Sequence, residues 1–90
     1  MQRYEIKAKN NSVEKAWYTL EENLPEVMER CKNFLEESPL DRLKSGGRLK
    51  KLKGKLKGIL QYDITDSDRV QYIVDSGCHI VYIEYIGKHP

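Results

Sequence analysis

Polar and apolar positions divide the chain into segments of different period. Residues 3–9, Arg-Tyr-Glu-Ile-Lys-Ala-Lys, alternate strictly and place Tyr4, Ile6 and Ala8 on one side. A period of two predicts a short strand with one buried face. Asn10-Asn11-Ser12 stops it. Asn11, with Glu14 three positions on, has the spacing of a helix N-cap. Val13, Ala16, Trp17, Leu20 and Leu24 then recur at steps of three and four, the stripe of an amphipathic helix. Pro25 interrupts this helix and suits the first turn of another. Its stripe is Val27, Met28, Cys31, Phe34 and Leu35, and Ser38-Pro39 ends it. A tight break between two such helices predicts a hairpin.

Residues 39–58 show no clean period. Leu40, Leu43, Leu49, Leu52 and Leu56 are expected to anchor this segment to the body. Beyond Gly58 the composition turns to strand formers. Strands are expected over 59–64, 69–75 and 79–86, with turns at 65–68 and at Ser76-Gly77. Short connections imply an antiparallel meander. The predicted class is α+β: a single domain over 1–90, with a small antiparallel sheet in the order β-α-α-β-β-β. A two-helix hairpin packs on one face of the sheet and leaves the other open.

The 90-residue length agrees with one domain, and the 39% apolar share suits a modest core. The longest uncharged run, Ser76 to Ile83, is far short of a membrane span. Met1-Gln2-Arg3-Tyr4 does not have the apolar stretch of a signal peptide, so a cytoplasmic location is expected. Cys31 and Cys78 are too few for a disulfide framework, and both are expected as buried thiols.

A formal charge of +2 conceals a strong local bias. The window 42–57 holds Arg42, Lys44, Arg48, Lys50, Lys51, Lys53, Lys55 and Lys57 and no acid, and includes the tandem Lys51-Leu52-Lys53-Gly54 and Lys55-Leu56-Lys57-Gly58. Such a run is a solvated loop, a polyanion site or a membrane-facing patch. Gly54 and Gly58 weaken the amphipathic helix that membrane docking requires. On the predicted open face, Arg69 heads a strand. It reads either as a phosphate-binding fork or as a surface partner of Asp63, Asp66 or Asp68. His79 reads as an exposed edge residue, and His89 lies just past the last strand, where a side chain can swing over the sheet. The sequence has no phosphate-cradling glycine loop and no metal-ligand spacing. Chemistry without cofactor or metal is therefore expected, and RNA cleavage fits because the substrate supplies its own 2′-hydroxyl nucleophile.

Residues 52–72, LKGKLKGILQYDITDSDRVQY, resemble the core segment of the RelE/ParE toxin superfamily, in particular its RelE and YoeB branches. The shared pattern is Leu52-Lys53, Gly58, a strand, a polar turn and then Arg69-Val70-Gln71-Tyr72. The closing Ile86-Gly87-Lys88-His89 and the element order are similar as well. The resemblance implies the toxin of a type II toxin–antitoxin system, a ribosome-dependent mRNA endonuclease with a cognate antitoxin, the ribosome and mRNA as partners. It implies catalytic roles for Arg69 at the reacting phosphate, Lys53 beside it and His89 as general acid. Arg48, Lys50, Lys51, Lys55 and Lys57 are then expected on ribosomal RNA phosphates. The sequence departs from the family in its central strand, which is poor in basic residues. The catalytic glutamate's place falls at Lys50, and the C-terminal catalytic tyrosine is missing, leaving Tyr62 or Tyr82 to compensate. A ParE-like inhibitor of DNA gyrase and a non-catalytic RNA-binding module are the competing readings.

Overall fold

The computed structural model describes residues 3–88. Strand β1 (Glu5–Ala8) leads into helices α1 (Asn11–Asn23) and α2 (Pro25–Glu37). Strands β2 (Leu49–Lys51), β3 (Leu60–Asp63), β4 (Asp68–Asp75) and β5 (Ile80–Lys88) follow, with one 3-10 turn at Gly54–Leu56 between β2 and β3. The α+β class and the helix hairpin stand. The sheet is mixed rather than antiparallel: it has five strands in the order β1-β5-β4-β3-β2, and β1 runs parallel to β5.

The N-cap of α1 is Asn10, one residue earlier than its sequence spacing predicts. Its Oδ1 accepts the Val13 N–H at 3.0 Å. A cap of this kind is worth about 1 kcal/mol. Pro25 occupies the first turn of α2, where its missing N–H costs nothing. Met28, Cys31, Phe34 and Leu35 of α2 pack with Trp17 of α1 against the inner residues Tyr62, Val70, Tyr72, Val81, Ile83 and Ile86 of the sheet. The Phe34 and Tyr62 rings stack at 4.9 Å. The Tyr72 hydroxyl donates to the Pro39 carbonyl at 2.7 Å and so ties the end of α2 to the sheet.

The segment after α2 departs from expectation. Leu49 is buried, as an anchor should be, but Leu40, Leu43 and Leu56 are exposed, Leu43 at 93%. The segment is held instead by its own polar turn. Asp41 Oδ1 accepts the amides of Leu43 and Lys44 at 3.0 and 3.1 Å, and the buried Ser45 hydroxyl accepts the Leu49 amide at 3.2 Å. That scaffold delivers Leu49–Lys51 to the edge of β3 as a strand too short to show a period. Cys31 is buried, but Cys78 is exposed because it lies in the β4–β5 turn. His79 is half-buried, with its ring 4.9 Å from that of Tyr4.

Candidate nucleic-acid interface

Alternation in β4 sends Val70, Tyr72 and Val74 toward the helices and Arg69, Gln71 and Ile73 to the uncovered face. In β3, Tyr62 points inward and Gln61 and Asp63 outward. Cross-strand pairing assembles two rows on this face. Lys50, Gln61, Gln71 and Tyr85 form one, and Asp63, Arg69 and Gly87 the other.

An irregularity in the β4–β5 register at Gln71/Tyr72 alters the outer face. Tyr85 opposes Gln71 and Tyr82 opposes Ile73, so both tyrosines stand on the open side, each 36% exposed. Strict alternation along β5 would separate them. Gly87, opposite Arg69, has φ +151°, and a Cβ there would lie 3.2 Å from the Tyr85 hydroxyl. That hydroxyl donates to the Lys88 carbonyl at 2.6 Å.

A polar chain crosses the floor of the face. Gln71 Nε2 donates to Gln61 Oε1 at 3.2 Å, Gln61 Nε2 donates to Asp63 Oδ1 at 3.0 Å, and Lys50 Nζ lies 2.9 Å from Asp63 Oδ2. Burial works to raise the Asp63 pKa, but hydrogen bonds from Lys50 and Gln61 and the charges of Lys50 and Arg69 outweigh it and hold the carboxyl below its ordinary value.

Asp63 is thus occupied by Lys50, and Asp68 is taken by Thr65 at 2.9 Å and Lys88 at 3.5 Å. Arg69 forms no ion pair among the described residues, and its Nε is buried without a hydrogen-bond partner. A buried donor left unmatched is costly unless something arrives to accept it.

The other sequence candidates separate. Lys53 precedes the 3-10 turn and shares a recess of about 520 Å³ with Lys51 and Lys57. This recess adjoins the Leu60 end of β3, whereas Arg69 pairs with Asp63 at the other end. Three residues of strand advance about 10 Å, and two strand spacings add nearly as much sideways. The backbone register thus sets Lys53 by the Leu60 end of β3 and Arg69 by its Asp63 end. Lys55 is exposed on the same loop. Lys50 lies on the open face, and Arg48 lines a cleft with Tyr62 on the helix side. Tyr62 is 2% exposed within the core, so of the two substitute tyrosines only Tyr82 reaches the open face. His89 lies outside the described residues. Gln61, Gln71 and Tyr85 were not singled out as candidates from the sequence. Gln61 and Gln71 carry a signal there, as amides at outward strand positions, but Tyr85 depends on the register irregularity.

Comparison with solved structures places this architecture. The chain is similar to a YoeB/ParE toxin from Agrobacterium tumefaciens, with a TM-score of 0.74 over 96% of this chain and 99% of that one at 16% identity. It has the RelE/YoeB toxin fold. One chain from each of two toxin–antitoxin complexes is similar as well. The YoeB–YefM heterotetramer from Staphylococcus aureus matches with a TM-score of 0.71 and 21% identity over 98% of this chain and 99% of that one. The RelBE2 complex from Mycobacterium tuberculosis matches with a TM-score of 0.64 and 18% identity over 97% and 99%. No protein-family model matches the sequence, and a search of curated proteins finds no match.

Proposed function

We propose that this chain is the toxin of a type II toxin–antitoxin pair and that it cuts mRNA on the ribosome, in the cytoplasm, through the substrate's own 2′-hydroxyl. The observation that carries this reading is Arg69. Its guanidinium belongs to an uncovered sheet face, forms no ion pair with a described carboxylate and keeps a buried Nε donor unmatched. A phosphodiester supplies the acceptors that such a fork lacks.

The rest of the face suits single-stranded RNA. Tyr82 and Tyr85 offer rings on which bases stack. In the proposed reaction the 2′-oxygen attacks phosphorus and passes its proton to solvent water, and the bond to the 5′-oxygen breaks. Arg69 stabilises the charge that builds on the non-bridging oxygens. The products are a 2′,3′-cyclic phosphate and a 5′-hydroxyl. His89 is proposed to protonate the leaving 5′-oxygen.

Lys53, remote from Arg69 in the sheet, is reassigned from catalysis to binding. Together with Lys51, Lys55 and Lys57 it is proposed to hold ribosomal RNA phosphates. An acidic antitoxin segment laid over this positive surface is the proposed means of silencing it. Inducible expression tests the reading. Wild type should arrest growth with broken messages, and Arg69→Ala should do neither. Growth arrest with intact mRNA and gyrase-linked DNA breaks would replace this reading with the ParE-like one.

A further inference from the structure

A second cluster of positive charge lies on the helix side of β3, away from Arg69. Arg30 of α2 donates from Nη2 to the Ile64 carbonyl at 3.4 Å. Arg48, just before β2, donates from Nη1 to the Asp63 carbonyl at 3.2 Å. Both arginines line one cleft at the end of β3. Neither forms an ion pair among the described residues. The carboxylate of the same cleft, Glu37, lies 3.3 Å from Arg3.

The cleft has a volume of about 390 Å³, and Lys44 and Tyr62 also line it. This is within the usual range for small-ligand sites, with room for a phosphate and part of an attached sugar. Tyr62 is nearly buried, and the charges of both arginines bear on its phenol. Burial first and then Cys31 raise the phenol's pKa, while Arg30 and Arg48 pull it down. Like charges lining one cleft without a counter-ion favour an anion between them.

We propose that Arg30, Arg48 and Lys44 form a second anion-binding site that takes one phosphate group, with the Tyr62 hydroxyl at its base. Each arginine anchors through one Nη and retains other N–H donors for the ligand. The site uses none of the open-face residues, so it stands or falls independently of the nuclease reading.

The test is a titration of the 15N-labelled full chain with inorganic phosphate at low ionic strength, followed by NMR. Saturable shifts are expected at the amides of residues 44–48 and at the Nε–H groups of Arg30 and Arg48. They should persist in Arg69→Ala. Affinity should fall at least tenfold in the Arg30→Gln/Arg48→Gln variant and severalfold in Lys44→Gln, which retains both carbonyl anchors. Two further arms identify the source of the phosphate. If a nucleoside 5′-monophosphate gives the same shifts and a 2′-deoxy hexanucleotide without terminal phosphates does not, the site takes a phosphate monoester. The same shifts with the hexanucleotide indicate a backbone diester. Shifts spread over Lys50–Lys57 without saturation, or affinity unchanged in the double variant and in Lys44→Gln, would overturn the proposal.

Discussion

Asp63 and Arg69 face each other across β3 and β4, yet the Asp63 carboxylate is bonded to Lys50 at 2.9 Å and Gln61 at 3.0 Å instead. The expected surface ion pair is therefore diverted one strand sideways, and Arg69 keeps its charge for an incoming anion. The diversion has a consequence for acid stability. A carboxyl whose folded-state pKa is depressed contributes stability above its unfolded value, near 3.8, and loses it as pH falls through the lower folded value. The difference in urea stability between wild type and Asp63→Asn should therefore be constant from neutral pH down to about pH 5 and shrink below about pH 4. A difference that grows on acidification contradicts this assignment.

Tyr82 and Tyr85 share the open face only because the β4–β5 register shifts between Gln71 and Tyr72. Each ring should stack one base. Tyr82→Ala and Tyr85→Ala should each weaken binding of a short single-stranded RNA by about 1–3 kcal/mol. Fluorescence anisotropy at fixed salt measures this. Unchanged affinity in both variants would remove the tyrosines from the RNA path.

Tyr72 places a buried hydroxyl on the Pro39 carbonyl at 2.7 Å. Tyr72→Phe leaves that carbonyl unmatched and should cost about 1–3 kcal/mol in urea unfolding. Burial, then the neighbouring Cys31 and Tyr62, raise the Tyr72 phenol above its usual range. The folded state thus favours the neutral phenol. Its contribution is fully present below the unfolded value of 10.0 and declines as pH rises beyond it. Tyr72→Phe should therefore lose less relative to wild type above about pH 10.5 than at neutral pH.

The two thiols should react very differently. Burial pushes Cys31 up to about 12, against a smaller opposing effect of Arg30, while Cys78 is exposed in a turn. A thiol reagent at pH 8 should label Cys78 quickly and Cys31 only after denaturant is added. Rapid labelling of both in the native protein would contradict the packing of α2.

Much of this architecture is legible in the chain because period and burial coincide. The stripe Met28, Cys31, Phe34 and Leu35 and the inner set Val70, Tyr72 and Val74 face as their spacing predicts. Arg69 on the uncovered side follows from the same alternation. Three features are not legible locally. Strand β2 has three residues and owes its place to the turn built by Asp41 and Ser45. Pairing of β1 with β5 joins segments more than seventy residues apart, and a period of two does not encode whether they run parallel. The separation of Lys53 from Arg69 depends on which end of β3 each one meets, which sequence proximity to a basic run does not reveal.

The direct test of the central claim uses purified ribosomes carrying a defined message, mixed with wild-type protein or with Arg69→Ala, and maps the RNA ends. The wild type should produce fragments with a 2′,3′-cyclic phosphate and a 5′-hydroxyl at ribosome-occupied codons, and the variant should cut at least about 100-fold more slowly while unfolding at a similar urea concentration. Equal cutting by a folded Arg69→Ala protein, or intact messages with wild type, would contradict the account.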